Sequence, residues 1–274
     1  AWSRKGIGMK PETLELLACP GCRGALQLRA EASESIDSGS LSCATCSRDF
    51  PIEEGVPHFI RYQDLSGLNL RFARLYDWFS HVYVPVTKIA YGLIGGEESN
   101  RREVLDRLAP TEGRVLEVSI GPGVNLPYLI GAPDVGEVYG LDLSLGQLRR
   151  CRSLCRKRGW SVDLFLGNAE ALPFKNESFA TVFHIGGINF FSDTKRAIEE
   201  MIRVAQPGAK IVIVDENERG ARLYAATIPG FRRIFKGERE TVSAPVELVP
   251  PEMADVRVTD VWRGWGYCLE FRKP

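Results

Sequence analysis

Between Arg114 and Val214 the chain keeps alternating short apolar runs with longer amphipathic ones. Arg114–Val118, Glu137–Leu141, Val162–Leu166, Ala180–Ile185 and Lys210–Val214 read as strands, with helices Leu145–Arg158 and Thr194–Val204 fitting between them. Parallel strands need a crossover, usually a helix, and helices on both faces make near-continuous apolar strands. The alternation therefore predicts an α/β fold: a doubly wound, Rossmann-like, mostly parallel sheet. Val256–Trp262 and Tyr267–Phe271, joined by Arg263-Gly-Trp-Gly266, read as a hairpin, so an antiparallel C-terminal hairpin ends the sheet. Residues 216–250 form an irregular, partly helical insertion of a length that often covers an active site.

The N-terminal part has different punctuation. Cys19-Pro-Gly-Cys22 and Cys43-Ala-Thr-Cys46 are CxxC pairs with the spacing of a four-cysteine zinc site. Leu26, Leu28 and Leu41 alternate like short strands, Ala32–Ser40 reads as a hairpin tip, and Pro11–Leu17 as a turn or two of helix. So small a unit buries little apolar surface, and a metal would supply the missing stability. Two disulfides or a metal-free remnant are the alternatives. A shell of four thiolates has no open position, which implies a structural or docking role, and His58 is not needed.

Four segments follow. Residues 1–10 are read as an expression remnant and start, because Ala1–Gly8 lack a secretion signal's apolar core. Residues 11–62 form the zinc ribbon, 63–110 a helical linker or lid, and 111–274 the α/β domain. In the linker, Leu68, Phe72, Leu75, Phe79, Val82, Val86, Ile89 and Leu93 recur at helical spacing. Gly95-Gly96 breaks the pattern, Glu97–Leu108 resumes it and Pro110 stops it.

The 274 residues carry zero formal net charge, which argues against nucleic-acid binding by bulk charge. No apolar run is long enough to cross a bilayer. Cys151, Cys155 and Cys268 remain outside the metal set and are expected reduced, which points to the cytoplasm.

Ligand chemistry concentrates at strand ends. Val115-Leu-Glu-Val-Ser-Ile-Gly-Pro-Gly123 runs from a strand into a glycine turn, where Gly121 and Gly123 let backbone N–H groups approach a nucleotide-like ligand. Alone this is an ordinary strand-to-helix turn. Asp142 ends the next strand, where an acid can accept bonds from ribose hydroxyls. Asn168 follows the third, placed to meet an adenine edge.

Leu116-Glu-Val-Ser-Ile-Gly-Pro-Gly123, Tyr139-Gly-Leu-Asp-Leu-Ser144, Gly167-Asn-Ala-Glu-Ala-Leu-Pro-Phe174 and Val204-Ala-Gln-Pro-Gly-Ala209 resemble the ordered motifs of class I S-adenosylmethionine-dependent methyltransferases, over about residues 72–272. The resemblance is nearest to the quinone-biosynthesis and small-molecule C- or O-methyltransferase group, including Leu75-Tyr-Asp77. It implies that Glu117 faces the cofactor's amino end. It also implies that Ser119, Gly121, Gly123 and Asn125 form the turn beneath the methionine part and that Asp142 holds the ribose. Leu143 would then pack on the adenine, Asn168 and the Ala169 N–H would meet its edge, Tyr76 would lie near the carboxylate and His184 would sit beside the cofactor. Phe50-Pro-Ile-Glu-Glu-Gly-Val-Pro57 resembles the zinc-ribbon family that includes the activator subunit of tRNA and protein methyltransferases, here in the same chain, so protein docking through the ribbon is a further expectation.

Three positions depart from the pattern. Ser119 stands where the first glycine is usual, Asn168 replaces a frequent Asp, and Ala180 replaces the Asp of a Phe-Asp pair. A dinucleotide ranks below S-adenosylmethionine, because Leu126 occupies the third glycine position of GxGxxG.

Methyl transfer from a sulfonium needs alignment first, and a base only when the acceptor keeps its proton until attack. His184, at the end of the fourth strand, is the candidate base; packing or a backbone contact is its plain alternative. Gly186-Gly-Ile-Asn-Phe-Phe191 is the expected acceptor wall, with Asn189 and Phe190 as substrate contacts. Cys151 and Cys155, mid-helix, read as structural, and the basic run Arg149–Arg158 as a solvated helix face. The expected function is methyl transfer to a small molecule. The alternatives are an rRNA or tRNA base methyltransferase gripping RNA with the ribbon, and a non-catalytic binding partner.

Overall fold

A computed structural model describes residues 8–30, 35–93, 95–108, 113–132, 135–227 and 242–274. Most of the leading remnant, part of the 32–40 hairpin tip, Pro110 and the middle of the 216–250 insertion lie outside the described residues.

The large sheet has seven strands: β5 Val115–Val118, β6 Val138–Asp142, β7 Asp163–Leu166, β8 Phe179–Ile185, β9 Ala205–Glu216, β10 Ala254–Val261 and β11 Gly266–Arg272. Their spatial order is β10-β11-β9-β8-β5-β6-β7. Strands β5 to β9 pair in parallel, and β11 joins antiparallel between β9 and β10. Every residue of β5, β6 and β7 is buried, as a strand covered on both faces must be. The order reverses at β5, which pairs with both β6 and β8, and ligands of open α/β sheets bind beyond the strand ends at such a point.

Helix α4, Leu145–Arg158, begins where the Ser144 hydroxyl accepts from the Gln147 N–H at 3.2 Å and ends at Gly159 in left-handed backbone. Helix α5, Thr194–Val204, is capped by Asp193 and buries Ala197, Ile198, Met201 and Val204 against the sheet. Helix α3, Leu126–Leu129, is a single turn after the glycine loop. Ahead of the sheet, α1 spans Gly67–Leu93 and α2 Glu97–Leu105, separated around Gly95-Gly96 as their spacing predicts. Helix α6, Glu218–Thr227, and a short turn at Val246–Leu248 are the described parts of the insertion.

The N-terminal unit is an antiparallel meander in the order β1-β2-β3-β4: Leu26–Arg29, Gly39–Cys43, Asp49–Glu53 and Val56–Pro57. It does not close a core of its own. Phe50, Phe59, Phe165, Phe174 and Phe179 form a run of aromatic contacts, with neighbouring ring centroids 5.1, 6.5, 5.1 and 4.9 Å apart, passing from the ribbon into the sheet. The ribbon also takes the exposed edge of β7. The Phe59 N–H donates to the Leu166 carbonyl at 2.8 Å, and Leu17 bridges antiparallel to Phe174. An uncovered edge would present unpaired backbone groups. Arg152 of the basic helix run pairs with Glu54 at 2.9 Å and lies 3.9 Å from Asp37, so the reading of that run as a solvated face is corrected at this position.

Ser119 adopts φ +64°, the region glycine normally occupies. Ser119→Gly should remove that cost, less the extra freedom of glycine in the unfolded chain. The expected gain is about 0.5 to 1 kcal/mol, or about 2 °C in Tm by thermal unfolding; an unchanged or lower Tm contradicts it.

Candidate functional site

The candidate site lies at the ends of β5, β6 and β8. Asp142 closes β6 and is 8% exposed. One carboxylate oxygen accepts the Gly121 N–H at 2.7 Å, the other the Ser144 N–H at 2.8 Å. These bonds fix the carboxylate and leave its remaining lone pairs for a ligand. Burial pushes its pKa up to about 6 against the opposing pull of those two N–H groups. Gly121 has φ +56°, and a Cβ placed there would meet nothing within 4 Å, so open space lies over the turn. At Gly123 the backbone packs closely on α4: a Cβ there would come within 2.7 Å of the Cys151 sulfur. Cys151 and Cys155 are buried in α4, and the bond to Cys155 together with burial pushes the Cys151 thiol up, as suits a structural thiol.

Glu117, on β5, is buried. One oxygen accepts from the Asn125 amide at 2.6 Å, while Oε2 is buried without a partner. Burial pushes its pKa up to about 8. Asn125 in turn accepts from Arg101 of α2 at 2.6 Å, and Arg101 pairs with Glu97 at 3.0 Å. Sequence reasoning missed Arg101, since nothing near it in the chain marks a residue of α2 as a partner of the glycine turn.

Asn168 caps the short turn Ala169–Ala171, accepting the Glu170 N–H at 3.0 Å; Ala169 is buried and Leu143 half-buried. Tyr76 of α1 packs on Phe72, which stacks on Phe190 at 4.5 Å, so α1 backs the 186–191 loop. The same helix is tied to the start of α4. Asp77 accepts from the Ser144 hydroxyl at 2.6 Å, the Gly146 N–H at 2.8 Å and the Tyr62 hydroxyl at 2.6 Å.

His184 is fully buried. Its Nδ1 donates to the Val118 carbonyl at 2.9 Å, so the neutral ring carries its lone pair on Nε2, which is buried without a partner. Burial lowers its pKa and keeps the ring neutral. The backbone contact is the alternative weighed from sequence. Asn189 spends its amide on Asp215, donating at 3.0 Å, and the Gly187 and Asn189 N–H groups reach the same carboxylate oxygen at 3.2 Å. Asp215 therefore fixes the loop. An acid ending the apolar run of β9 was a signal present in the sequence and not used.

In the ribbon the Cys19, Cys22, Cys43 and Cys46 sulfurs lie within 4.8 Å of one another, with Cys19–Cys46 at 3.6 Å and Cys22–Cys43 at 3.4 Å. A tetrahedral ion with Zn–S bonds of about 2.3 Å puts sulfurs about 3.8 Å apart. The thiolates therefore fit zinc as a closed set.

A doubly wound sheet with an acid at the second strand end, bonded to a glycine turn at the first that has open space over it, defines a class I methyltransferase-like domain, here joined to a zinc ribbon. Residues 116–213 match the methyltransferase domain family, and residues 10–55 match the Trm112p-like protein family. The phosphatidylethanolamine N-methyltransferase of Cereibacter sphaeroides is 30% identical over 163 residues, which cover 56% of this chain and 79% of that protein. The demethylmenaquinone methyltransferase of Renibacterium salmoninarum is 37% identical over 118 residues, covering 42% of this chain and 46% of that one. This chain thus spans about half the length of that relative. Among solved structures the cyclase SpnF superposes with a TM-score of 0.56 at 18% identity, covering 76% of this chain and 97% of that one. That likeness speaks for the fold alone. The chain belongs to the methyltransferase-domain family.

Proposed function

We propose that this protein transfers a methyl group from S-adenosylmethionine to a small-molecule acceptor by in-line displacement. The observation that carries the reading is Asp142 at the sheet's switch point, held by the Gly121 N–H beside a turn with open space above it. When bound, S-adenosylmethionine supplies a methyl group on a positively charged sulfur that leaves as a neutral thioether.

Each group of the crevice then has a task. Asp142 accepts the ribose hydroxyls. Glu117, steadied by Asn125 and Arg101, offers its unpartnered oxygen to the ammonium of the methionine part. Asn168 and the Ala169 N–H meet the adenine edge beside Leu143. Ser119, Gly121 and Gly123 form the floor, and Tyr76 lies toward the carboxylate. Asn189 and Phe190, on the loop fixed by Asp215, border the acceptor, and the aromatic packing of Phe72 on Phe190 keeps water out. Alignment and dryness are the main demands of the displacement. His184 Nε2 is an acceptor that can take a proton where the acceptor molecule must lose one.

The relatives whose names mention a quinone and a phospholipid support an acceptor with a large apolar part. The RNA reading is less well supported, because Arg152 of the basic helix already faces the ribbon's acids. The domain boundaries at 62 and 110 remain part of this proposal. No helix among the described residues is long and apolar enough to cross a membrane. Thiolate ligands need a reducing compartment, which supports a cytoplasmic setting.

Titration calorimetry with S-adenosylhomocysteine tests the cofactor, and release of that product with demethylated quinol and amine-headgroup acceptors tests the reaction. Absence of binding at high micromolar ligand refutes the reading. The pH dependence is also set. Glu117 and Asp142 titrate near 8 and 6, both above their ordinary values, so the ligand-free fold holds extra protons and loses stability as pH rises through 6 and then 8. A ligand ammonium beside Glu117 favours the ionised form. Binding at pH 7 should therefore release protons, and affinity should rise between pH 6 and 8. Calorimetry in two buffers of different ionisation enthalpy measures this, and zero proton release contradicts it.

A further inference from the structure

The first metal knuckle carries a long cation directly after its second ligand. Arg23 follows Cys22 in left-handed backbone, φ 63°, and donates its N–H to the Cys19 carbonyl at 2.8 Å. The turn that gathers the two thiolates thus also aims the Arg23 side chain. Its guanidinium crosses to the α/β domain, donating to the Leu172 carbonyl at 2.8 Å and to Glu200 at 2.6 Å. Glu200, on α5, is 1% exposed. Burial disfavours its charge, yet Arg203 and Arg23 outweigh it and hold the carboxyl below its ordinary range. The second Glu200 oxygen accepts the Leu172 N–H at 2.9 Å, and Arg203 reaches Glu200 at 2.9 Å and the Leu172 carbonyl at 3.0 Å. Leu172 is therefore gripped at both backbone groups by charged side chains, one of them belonging to the ribbon. It ends the turn that Asn168 begins.

We infer that Arg23 is a positioning residue for the cofactor loop, so that the metal-filled knuckle sets the order of residues 167–172 and, through them, the affinity for the adenosyl ligand. The inference rests on the proposed reading of that loop as the adenine side of the site. The coupling runs through contiguous hydrogen bonds, each to a charged partner and so among the stronger ones. Without metal the Cys19–Cys22 turn loses its constraint and Arg23 its aim. Leu172 then keeps only Glu200 and Arg203 of these three charged partners, while Glu170 of the same loop stays tied to Asn69 and to the Asp193 N–H.

Amide hydrogen exchange on the full chain, read by mass spectrometry, tests this without any ligand. The comparison is between zinc-loaded wild type, metal-stripped wild type, Arg23→Ala and Arg23→Lys. With zinc retained, Arg23→Ala should exchange about tenfold faster across residues 167–172, with β6 and α4 unchanged, and should bind S-adenosylhomocysteine about tenfold more weakly. Arg23→Lys, which keeps the charge but not the forked donors, should fall between. Wild-type exchange in zinc-loaded Arg23→Ala, or acceleration spread evenly along the chain, overturns the proposal. If Arg23→Ala loses its zinc, zinc-loaded Arg23→Lys decides: faster exchange at 167–172 than in wild type supports the coupling and unchanged exchange overturns it. If zinc-loaded wild type protects the loop but ignores S-adenosylhomocysteine, the cofactor reading falls and the coupling to the loop stands on exchange alone.

Discussion

Asp142→Ala should lower affinity for S-adenosylhomocysteine by about a hundredfold or more, with far-UV circular dichroism unchanged. A carboxylate that accepts ribose hydroxyls makes charge-assisted bonds, each worth about 1.5 to 3 kcal/mol, so losing two accounts for a factor of that size. A second effect acts in the same direction. The Asp142 carboxylate holds the Gly121 and Ser144 N–H groups, so alanine also loosens the glycine turn and the start of α4. Asp142→Asn keeps the shape but drops the charge and turns one accepting oxygen into an NH2 that faces the Gly121 or the Ser144 N–H, so its loss should approach that of the alanine variant. Calorimetry at pH 7.5 measures both. If the alanine variant bound like wild type, the crevice would not be gripping a sugar through this residue, and the cofactor assignment would go with it.

Removal of the metal should cost the whole molecule, not the ribbon alone. The four thiolates lie within 4.8 Å of one another, and without an ion to neutralise them they repel once ionised. In an isolated zinc module the apparent metal binding energy, about 10 to 16 kcal/mol, is folding energy. Here the consequences spread further, because the ribbon's core is continuous with that of the sheet through Phe59 and Phe165, and its chain pairs with the edge of β7. Stripping zinc, or Cys46→Ser, should lower Tm by about 10 °C or more and promote aggregation through the uncovered edge. Differential scanning calorimetry with and without a chelator, and metal content by mass spectrometry, give the answer. A Tm that ignores the chelator would show that aromatic packing alone seats the ribbon.

Much of this was legible in the chain because it is local. The strand and helix spans of the sheet domain follow from apolar spacing, and the helix Leu145–Arg158 was delimited by its own Ser144 cap and Gly159 stop. The cysteine knuckles were legible from spacing alone. Asp142 and Gly121 were legible because each sits at the end of an apolar run, where a buried strand must meet a ligand or a turn. The left-handed strain at Ser119 was foreshadowed by a side chain where the pattern has glycine.

What stayed hidden depends on pairs remote in the chain. Arg101 reaches Asn125 and Glu117 only because α2 lies against the glycine turn. Asp215 captures the amide of Asn189 only because β9 ends beside the loop that follows β8. Arg152 meets Glu54, and Arg23 meets Leu172, only because the ribbon seats on the β7 side. Spacing marked the cysteines of the ribbon but not its seat, and the structure merges its core with that of the sheet. Periodicity and spacing, which act over a few residues, determined the elements, the four-cysteine cluster and the acid that ends β6. The docking of ribbon on sheet and the polar relays behind each site residue were decided by tertiary closure, since burying a polar group demands a partner and no local pattern says which distant residue supplies it.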